Sequence, residues 1–353
     1  DLLISLSGAA LVAGFPLNAA AQVKARLVLV GGGFGGATAA RFLKNLMPSA
    51  SITLIEANTD YYACPFSNLV VAGLRDLSEQ RFGYDMLKSQ GIEVVQDYAE
   101  DVDPVAHTVT VRSGGTFTYD KLILSPGIDF RWNAIEGYDE AAAEDMPHAW
   151  KAGPQTTILQ KQLADMDDGG VMVMSVPPAP FRCPPGPYER ASLIAQYLKI
   201  HKPRSKLVIL DAQEKFSKQP LFQQAWSDLY PDQITRYGAS DFGHVVTVNP
   251  STRTLSTEFE DFKADVANVI PPQQAGAIAH RAGVADMTGW CPIDPLAFSS
   301  TLQPDIHVIG DATIASPMPK SAFSANLQAK ICAMQIARLL SGEPAQPTTL
   351  TNT

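Results

Sequence analysis

The chain has 353 residues, 46% of them hydrophobic, and a formal net charge of −9. That length supports two domains, each with its own core. The acidic balance, with no Lys/Arg-rich stripe to offset it, argues against nucleic acid as a partner and suits a solvated surface or docking onto a basic protein face.

The sequence opens on Asp1, not Met, and Leu2 to Phe15 is an apolar run too short for a membrane span but of the right length for the core of a signal peptide. Asn18-Ala19-Ala20-Ala21-Gln22 supplies small residues for cleavage after Ala21. Residues 1–23 are therefore expected to be a leader remnant. The Leu-Leu-Ile-Ser start resembles the stretch after a twin-arginine pair, which would deliver a folded, cofactor-loaded protein to the periplasm. A frayed amphipathic helix is the alternative. No other segment reaches transmembrane length, so no spanning anchor is expected. The four cysteines, Cys64, Cys183, Cys291 and Cys332, are too few for a disulfide scaffold in a chain of this size.

Leu27-Val28-Leu29-Val30 reads as a buried strand and runs into Gly31-Gly32-Gly33-Phe34-Gly35-Gly36. Gly31, Gly33 and Gly36 fit GxGxxG, and the run from Ala37 begins a helix whose N-terminal amides would face a pyrophosphate. Glu56 ends a second apolar strand, Ile52–Ile55, about 20 residues beyond the loop, where a ribose hydroxyl needs an acceptor. The glycines alone are a weak signal. Their place between strand and helix, followed by that acid, makes them a dinucleotide site.

The aromatic loop from Asn58 to Asn68 contains Cys64, and Pro65 keeps it from continuing as helix. In flavin folds this loop approaches the isoalloxazine ring; a small buried structural cysteine is the competing reading. Tyr84–Ser89 reads as a short helix and Ile92–Val95 as a strand, with Gln96–Asp103 passing the adenine end. Gly114-Gly115 marks a hairpin. Lys121–Leu124 returns as a buried strand and ends in Ser125-Pro126-Gly127, which sets Gly127 beside the nucleotide.

A second βαβ unit comes next: helix Thr157–Met166, strand Val171–Val176, a helix over Tyr188–His201 and strand Lys206–Asp211. Where this unit should carry its own phosphate loop, the chain reads Pro177-Pro178-Ala179-Pro180-Phe181-Arg182-Cys183-Pro184-Pro185-Gly186-Pro187. Six prolines remove six amide donors, so no phosphate cradle remains and electrons are not expected from NAD(P)H. Cys183 is held among those prolines with Glu189 at the start of the next helix, a pairing suited to sulfur chemistry with a proton carrier. The alternative is a rigid loop with a core cysteine and a helix-cap glutamate.

Glu214–Gly243 reads as helices and loops. Val245–Val248 and Arg253–Ser256 form a hairpin about Asn249-Pro250. Ala264–Ile270 is a returning strand that hands the chain back through Pro271-Pro272. Strand Ile306–Ile309 ends in Gly310-Asp311, where Asp311 would take ribityl hydroxyls. Pro317–Ser321 opens a helix over Ala322–Leu340 whose positive end, helped by Lys320, would favour an anionic reduced flavin. Cys332 and His307 read as core. The fold class is α/β with two Rossmann-like domains: FAD-binding parts over 24–150 and 271–353, and a degenerate NAD-binding-like domain over 151–270.

With these pieces in order, the chain from Lys24 onward resembles the flavoprotein subunit of flavocytochrome c sulfide dehydrogenase, a glutathione-reductase-like disulfide flavoprotein. The resemblance rests on Tyr61-Tyr62-Ala63-Cys64, Phe181 to Arg190, Gly289-Trp290-Cys291-Pro292, and Gly310-Asp311 with Pro317–Ser321. It implies FAD joined covalently to Cys64, and Cys183 as half of a redox-active disulfide, with Glu189 as acid/base. It further implies oxidation of sulfide or a related reduced sulfur species, and transfer of electrons to haem c on a partner cytochrome subunit of a heterodimer. The chain has no CxxCH of its own, and no metal ligands are assigned. In the family the second redox cysteine comes after an Asn-Thr pair, whereas this sequence stops at Asn352-Thr353. A missing C-terminal domain is the expectation, with pairing of Cys183 to Cys291 or Cys332, or no disulfide, left open. Rival readings are a sulfide:quinone oxidoreductase, an NADH-dependent disulfide or ferredoxin reductase, and an exported non-catalytic flavoprotein that binds or reactivates a sulfur-oxidation partner.

Overall fold

The computed structural model describes Ala20 and residues 22–348. The expected leader lies almost wholly outside the described residues, and so does the closing Asn352-Thr353.

The first unit is built on β1 (Arg26–Val30), α1 (Phe34–Leu46), β2 (Ser51–Ile55), the short α2 (Ser67–Val71), β3 (Glu93–Val95) and β4 (Lys121–Leu124). β1 lies at the centre of a parallel run, with Val28 opposite Thr53 of β2 on one side and Leu122 of β4 on the other. These strands are apolar at successive positions, not alternating ones, because helices or loops cover both faces. The segment Gln96–Asp103 is partly strand: Ala99–Asp103 joins the expected hairpin in a three-stranded antiparallel sheet.

The second unit contains α3 (Pro154–Asp165), β5 (Val171–Val176), α4 (Gly186–His201), β6 (Lys206–Asp211), β7 (Ile234–Tyr237) and β8 (Val266–Val269). Its sheet runs β7-β6-β5-β8, all parallel. Strand β7 corrects the reading of 214–243 as helices and loops alone. It is a four-residue edge strand between polar stretches, too short to show a period, and its pairing with β6 decides its conformation. The hairpin about Asn249-Pro250 likewise gains a third strand, Asp261–Lys263.

The chain then re-enters the first sheet through β9 (Cys291–Asp294), β10 (Ser299–Ser300), β11 (Ile306–Val308) and β12 (Thr313–Ile314), and closes with α5 (Ala322–Leu340). β11 pairs in parallel with β4, so the late segment completes the sheet that the early one began. Helices α1 and α5 pack against each other, burying Ala39, Ala40 and Leu43 with Ala329, Ala333 and Ile336. The small side chains let the two helices approach closely. Where the chain leaves and re-enters the first unit, Ile128–Phe130 pairs antiparallel with Gln273–Ala275, a two-stranded strap between the units.

Candidate functional site

A cavity of about 1040 Å³ runs along the carboxyl ends of β1 and β2 and continues between the two units. Its first wall is the glycine loop. Gly31 has φ +96°, and a Cβ there would lie 2.3 Å from the Ser125 carbonyl oxygen, so only glycine fits between β1 and β4. A Cβ on Gly36 would lie 1.8 Å from the Gly31 carbonyl oxygen. Gly36 therefore does not line the cavity; it lets α1 start hard against β1. Gly33 lines the cavity under the Tyr61 ring. Glu56 is pinned at the rim: Oε2 accepts from the Gly32 amide (2.6 Å) and Oε1 from the Asn58 amide (2.9 Å). Gly127, at φ +65°, faces the same space.

Cys64 is half-buried in the cavity wall. Its loop is held from behind by Gln80, which is 1% exposed. The Gln80 side chain donates to the Pro65 carbonyl (3.1 Å), and the Gln80 backbone carbonyl accepts from the Ala63 amide (2.9 Å). The loop is thus fixed by a buried amide and not left to fray.

The proline loop forms the facing wall. Cys183 sits at φ +57°, an uncommon conformation for a side chain with a Cβ. Its amide donates to the Lys320 carbonyl (2.8 Å) and its carbonyl accepts from the Gly186 amide (2.8 Å). A Cβ on Gly186 would lie 3.0 Å from the Cys183 sulfur, so the sulfur packs on the first turn of α4. Burial pushes the Cys183 thiol up to about 11, with the Glu189 charge adding to the rise and Arg182 opposing it. Glu189 projects from the first turn of α4 into the same cavity. Its Oε2 accepts from Asn68 Nδ2 at 2.6 Å.

Arg182 is a functional candidate to which the sequence alone assigns no role. Its guanidinium donates to the Trp150 carbonyl, and its Nη1 lies 4.0 Å from Asp311 Oδ2. A cation inside an otherwise apolar and proline-rich loop was the available signal. Asp311 itself lines the cavity with Oδ1 buried and without a hydrogen-bond partner. Burial raises its pKa, and Arg182 and Lys320 offset part of that rise. A buried acceptor left open at a cavity wall fits a polyol hydroxyl. The glycine cradle, the pinned Glu56 and this open oxygen together fit FAD.

Lys320 takes a different place from the one expected. Its ammonium donates to the carbonyls of Asp311 (2.9 Å) and Thr313 (2.7 Å) and lies 3.6 Å from the Trp290 ring centroid. Burial lowers its pKa to about 8. It does not line the cavity; it fastens the loop that presents Asp311. The α5 N-terminus does reach the cavity, with Ser321 capping through the Ser324 amide (3.1 Å).

In the second unit the acid that ends β6 is paired within the protein. Asp211, at the end of β6, is 0% exposed and accepts from Tyr188 Oη (2.8 Å) and Arg236 Nε (2.8 Å). Tyr188 stacks on Phe216 with ring centroids 3.6 Å apart. The acid that would hold a ribose is thereby occupied. All four cysteines are free, with Cys291 and Cys332 buried, so neither pairs with Cys183. His307 is a core residue whose Nδ1 lies 2.9 Å from the Ala297 carbonyl. Among the described residues no group of three His, Cys, Asp or Glu side chains could hold a metal ion, and no helix is long and apolar enough to cross a membrane.

A two-layered nucleotide cradle facing a cysteine loop defines a class, and the chain belongs to the disulfide oxidoreductase superfamily of flavoproteins. Residues 25–163 match the pyridine nucleotide-disulphide oxidoreductase family, and residues 156–271 match the central domain of the sulfide dehydrogenase [flavocytochrome c] flavoprotein chain. A flavoprotein chain of that name from Chlorobaculum thiosulfatiphilum is 58% identical over 45 residues, which is 13% of this chain and 94% of that sequence. The mitochondrial sulfide:quinone oxidoreductase of Mus musculus is 22% identical over 86% of this chain and 69% of its own. The solved sulfide:quinone oxidoreductase of Aquifex aeolicus superposes with a TM-score of 0.75 at 20% identity, over 90% of this chain and 78% of that one, a likeness of fold.

Proposed function

We propose that this chain oxidises sulfide at Cys183 with FAD bound in the cavity, and passes the electrons to a c-type cytochrome subunit. The observation that carries the reading is the exchange at the start of α4, where a cysteine and a carboxylate take the place of a nicotinamide phosphate cradle. In the proposed half-reaction the Cys183 thiol and hydrosulfide give a Cys183 persulfide, two protons and two electrons. Glu189 takes a proton from sulfur and releases it to solvent, which its exposed position permits. Arg182 offers positive charge to the sulfur anion inside the cavity. The FAD, when bound, supplies the two-electron acceptor. Gly31, Gly33 and the α5 N-terminus would hold its phosphates and ring, Glu56 a ribose, Asp311 the ribityl chain, and Cys64 the covalent link. Residence in the periplasm, read from the leader-like run, is part of the same proposal.

The cytochrome acceptor is supported by the match over 156–271, the region that includes the cysteine loop. A quinone acceptor is the second reading, favoured by similarity along most of the chain to sulfide:quinone oxidoreductases. Steady-state assays with sulfide and either a c-type cytochrome or a soluble quinone separate them. The proposal expects sulfide-dependent cytochrome reduction that outpaces quinone reduction at least tenfold (about 1.4 kcal/mol in the barrier). Quinone reduction with an inert cytochrome would overturn it.

A further inference from the structure

The hydrogen bonds behind the cysteine loop form one chain of fixed direction. Arg190, next to Glu189 on α4, is 1% exposed, and its guanidinium can only donate. It donates to the carbonyls of His148 (3.1 Å) and Ala149 (2.6 Å), to Asn268 Oδ1 (2.8 Å) and, through Nε, to Asn68 Oδ1 (2.9 Å). The Trp150 ring covers it, with the guanidinium carbon 4.9 Å from the ring centroid. Asn268 is locked in turn, donating to the carbonyls of Pro147 (2.7 Å) and His148 (2.9 Å). Because Arg190 demands an acceptor, the Asn68 amide turns its oxygen that way and its nitrogen the other way. That nitrogen donates to the Gly186 carbonyl (3.1 Å) and to Glu189 Oε2 (2.6 Å).

We infer that Asn68 is a positioning residue for Glu189: it occupies one carboxylate oxygen, holds the group at the mouth of the sulfur loop, and leaves Oε1 to carry the proton. The inference rests on the proton-carrying role proposed for Glu189. Asn68 lies four residues beyond Cys64, so one amide ties the flavin-side loop to the sulfur-side helix. Cys183 from the proline loop and Arg190 from α4 interact electrostatically with Glu189, and Arg182, Cys64 and Asp311 act in turn on Cys183. Of these, Arg190 already has its donors committed to four acceptors. Asn68 thus supplies the directed donor to Oε2.

The test is the pH dependence of Cys183 alkylation by iodoacetamide in the full chain, read by mass on the Cys183 peptide. It requires no turnover. The profile should show an inflection that Glu189→Gln removes. Asn68→Ala withdraws the donor to the carboxylate, so the inflection should move upward in pH. Asn68→Asp keeps the contact with Arg190 but sets an oxygen against Glu189, and should move it further in the same direction. In the Glu189→Gln background Asn68→Ala should be silent. An inflection unmoved by either variant, or an Asn68→Ala shift that persists without Glu189, would overturn the inference while leaving sulfide oxidation at Cys183 standing. Shifts as expected in a protein that sulfide does not reduce would sink the functional reading and keep this one.

Discussion

Cys64 and Cys183 share one cavity wall system, yet their surroundings prepare them for different chemistry. Cys64 sits on a loop braced by a buried amide, Gln80, and faces the space that the glycine loop opens. Cys183 sits on a positive-φ residue, with burial and Glu189 holding its thiol protonated. A protonated thiol is a poor nucleophile, so reaction at Cys183 needs a local base, and that is the work assigned to Glu189. For Cys64 the expected outcome is different. Acid-precipitated protein should keep its flavin on the Cys64 peptide, and Cys64→Ser should release all of it into the supernatant. Flavin in the supernatant of the unaltered protein would contradict covalent attachment.

One of the sequence-assigned glycines, Gly36, acts on an element and does not line the cavity. Gly36 lies inside α1, where exchange for alanine would ordinarily favour the helix by about 1 kcal/mol. Here the new Cβ would lie 1.8 Å from the Gly31 carbonyl oxygen, a backbone atom that cannot rotate away. Overpacking of this kind costs about 1–3 kcal/mol, so the steric effect wins. Gly36→Ala should lower the melting midpoint by several degrees and reduce the flavin content, both readable in one fluorescence melt; a raised midpoint would refute the packing argument. Most elements were legible at this scale. β4, β5 and α5 show runs of apolar residues bounded by turn residues, and α5 matches its expected range. The edge strand β7 was not legible, because four residues in a polar context carry no period of their own.

The site as a whole was only partly legible, and the division tracks sequence distance. The glycine loop with Glu56, and Cys183 with Glu189, are local patterns that a linear reading can find. Asn68 and Arg190 are 122 positions apart, and Arg190 and Asn268 are 78 apart, so only folding brings them together. Lys320 shows the converse: a lysine before a helix start reads as a cofactor ligand, whereas the folded loop spends its ammonium on two carbonyls and a tryptophan face. At the level of the molecule, the first unit keeps an open nucleotide cavity. The second pairs Asp211 with Tyr188 and Arg236 and sends Glu189 from the first turn of α4 into that cavity. The most direct measurement is an anaerobic titration of the flavin-loaded protein with sulfide, monitored by the visible flavin absorbance, beside Cys183→Ser. The account predicts bleaching of the flavin in the unaltered protein, none with NADH, and at least a hundredfold slower bleaching in the variant (about 2.7 kcal/mol in the barrier). Equal bleaching by sulfide with and without the Cys183 thiol would contradict it.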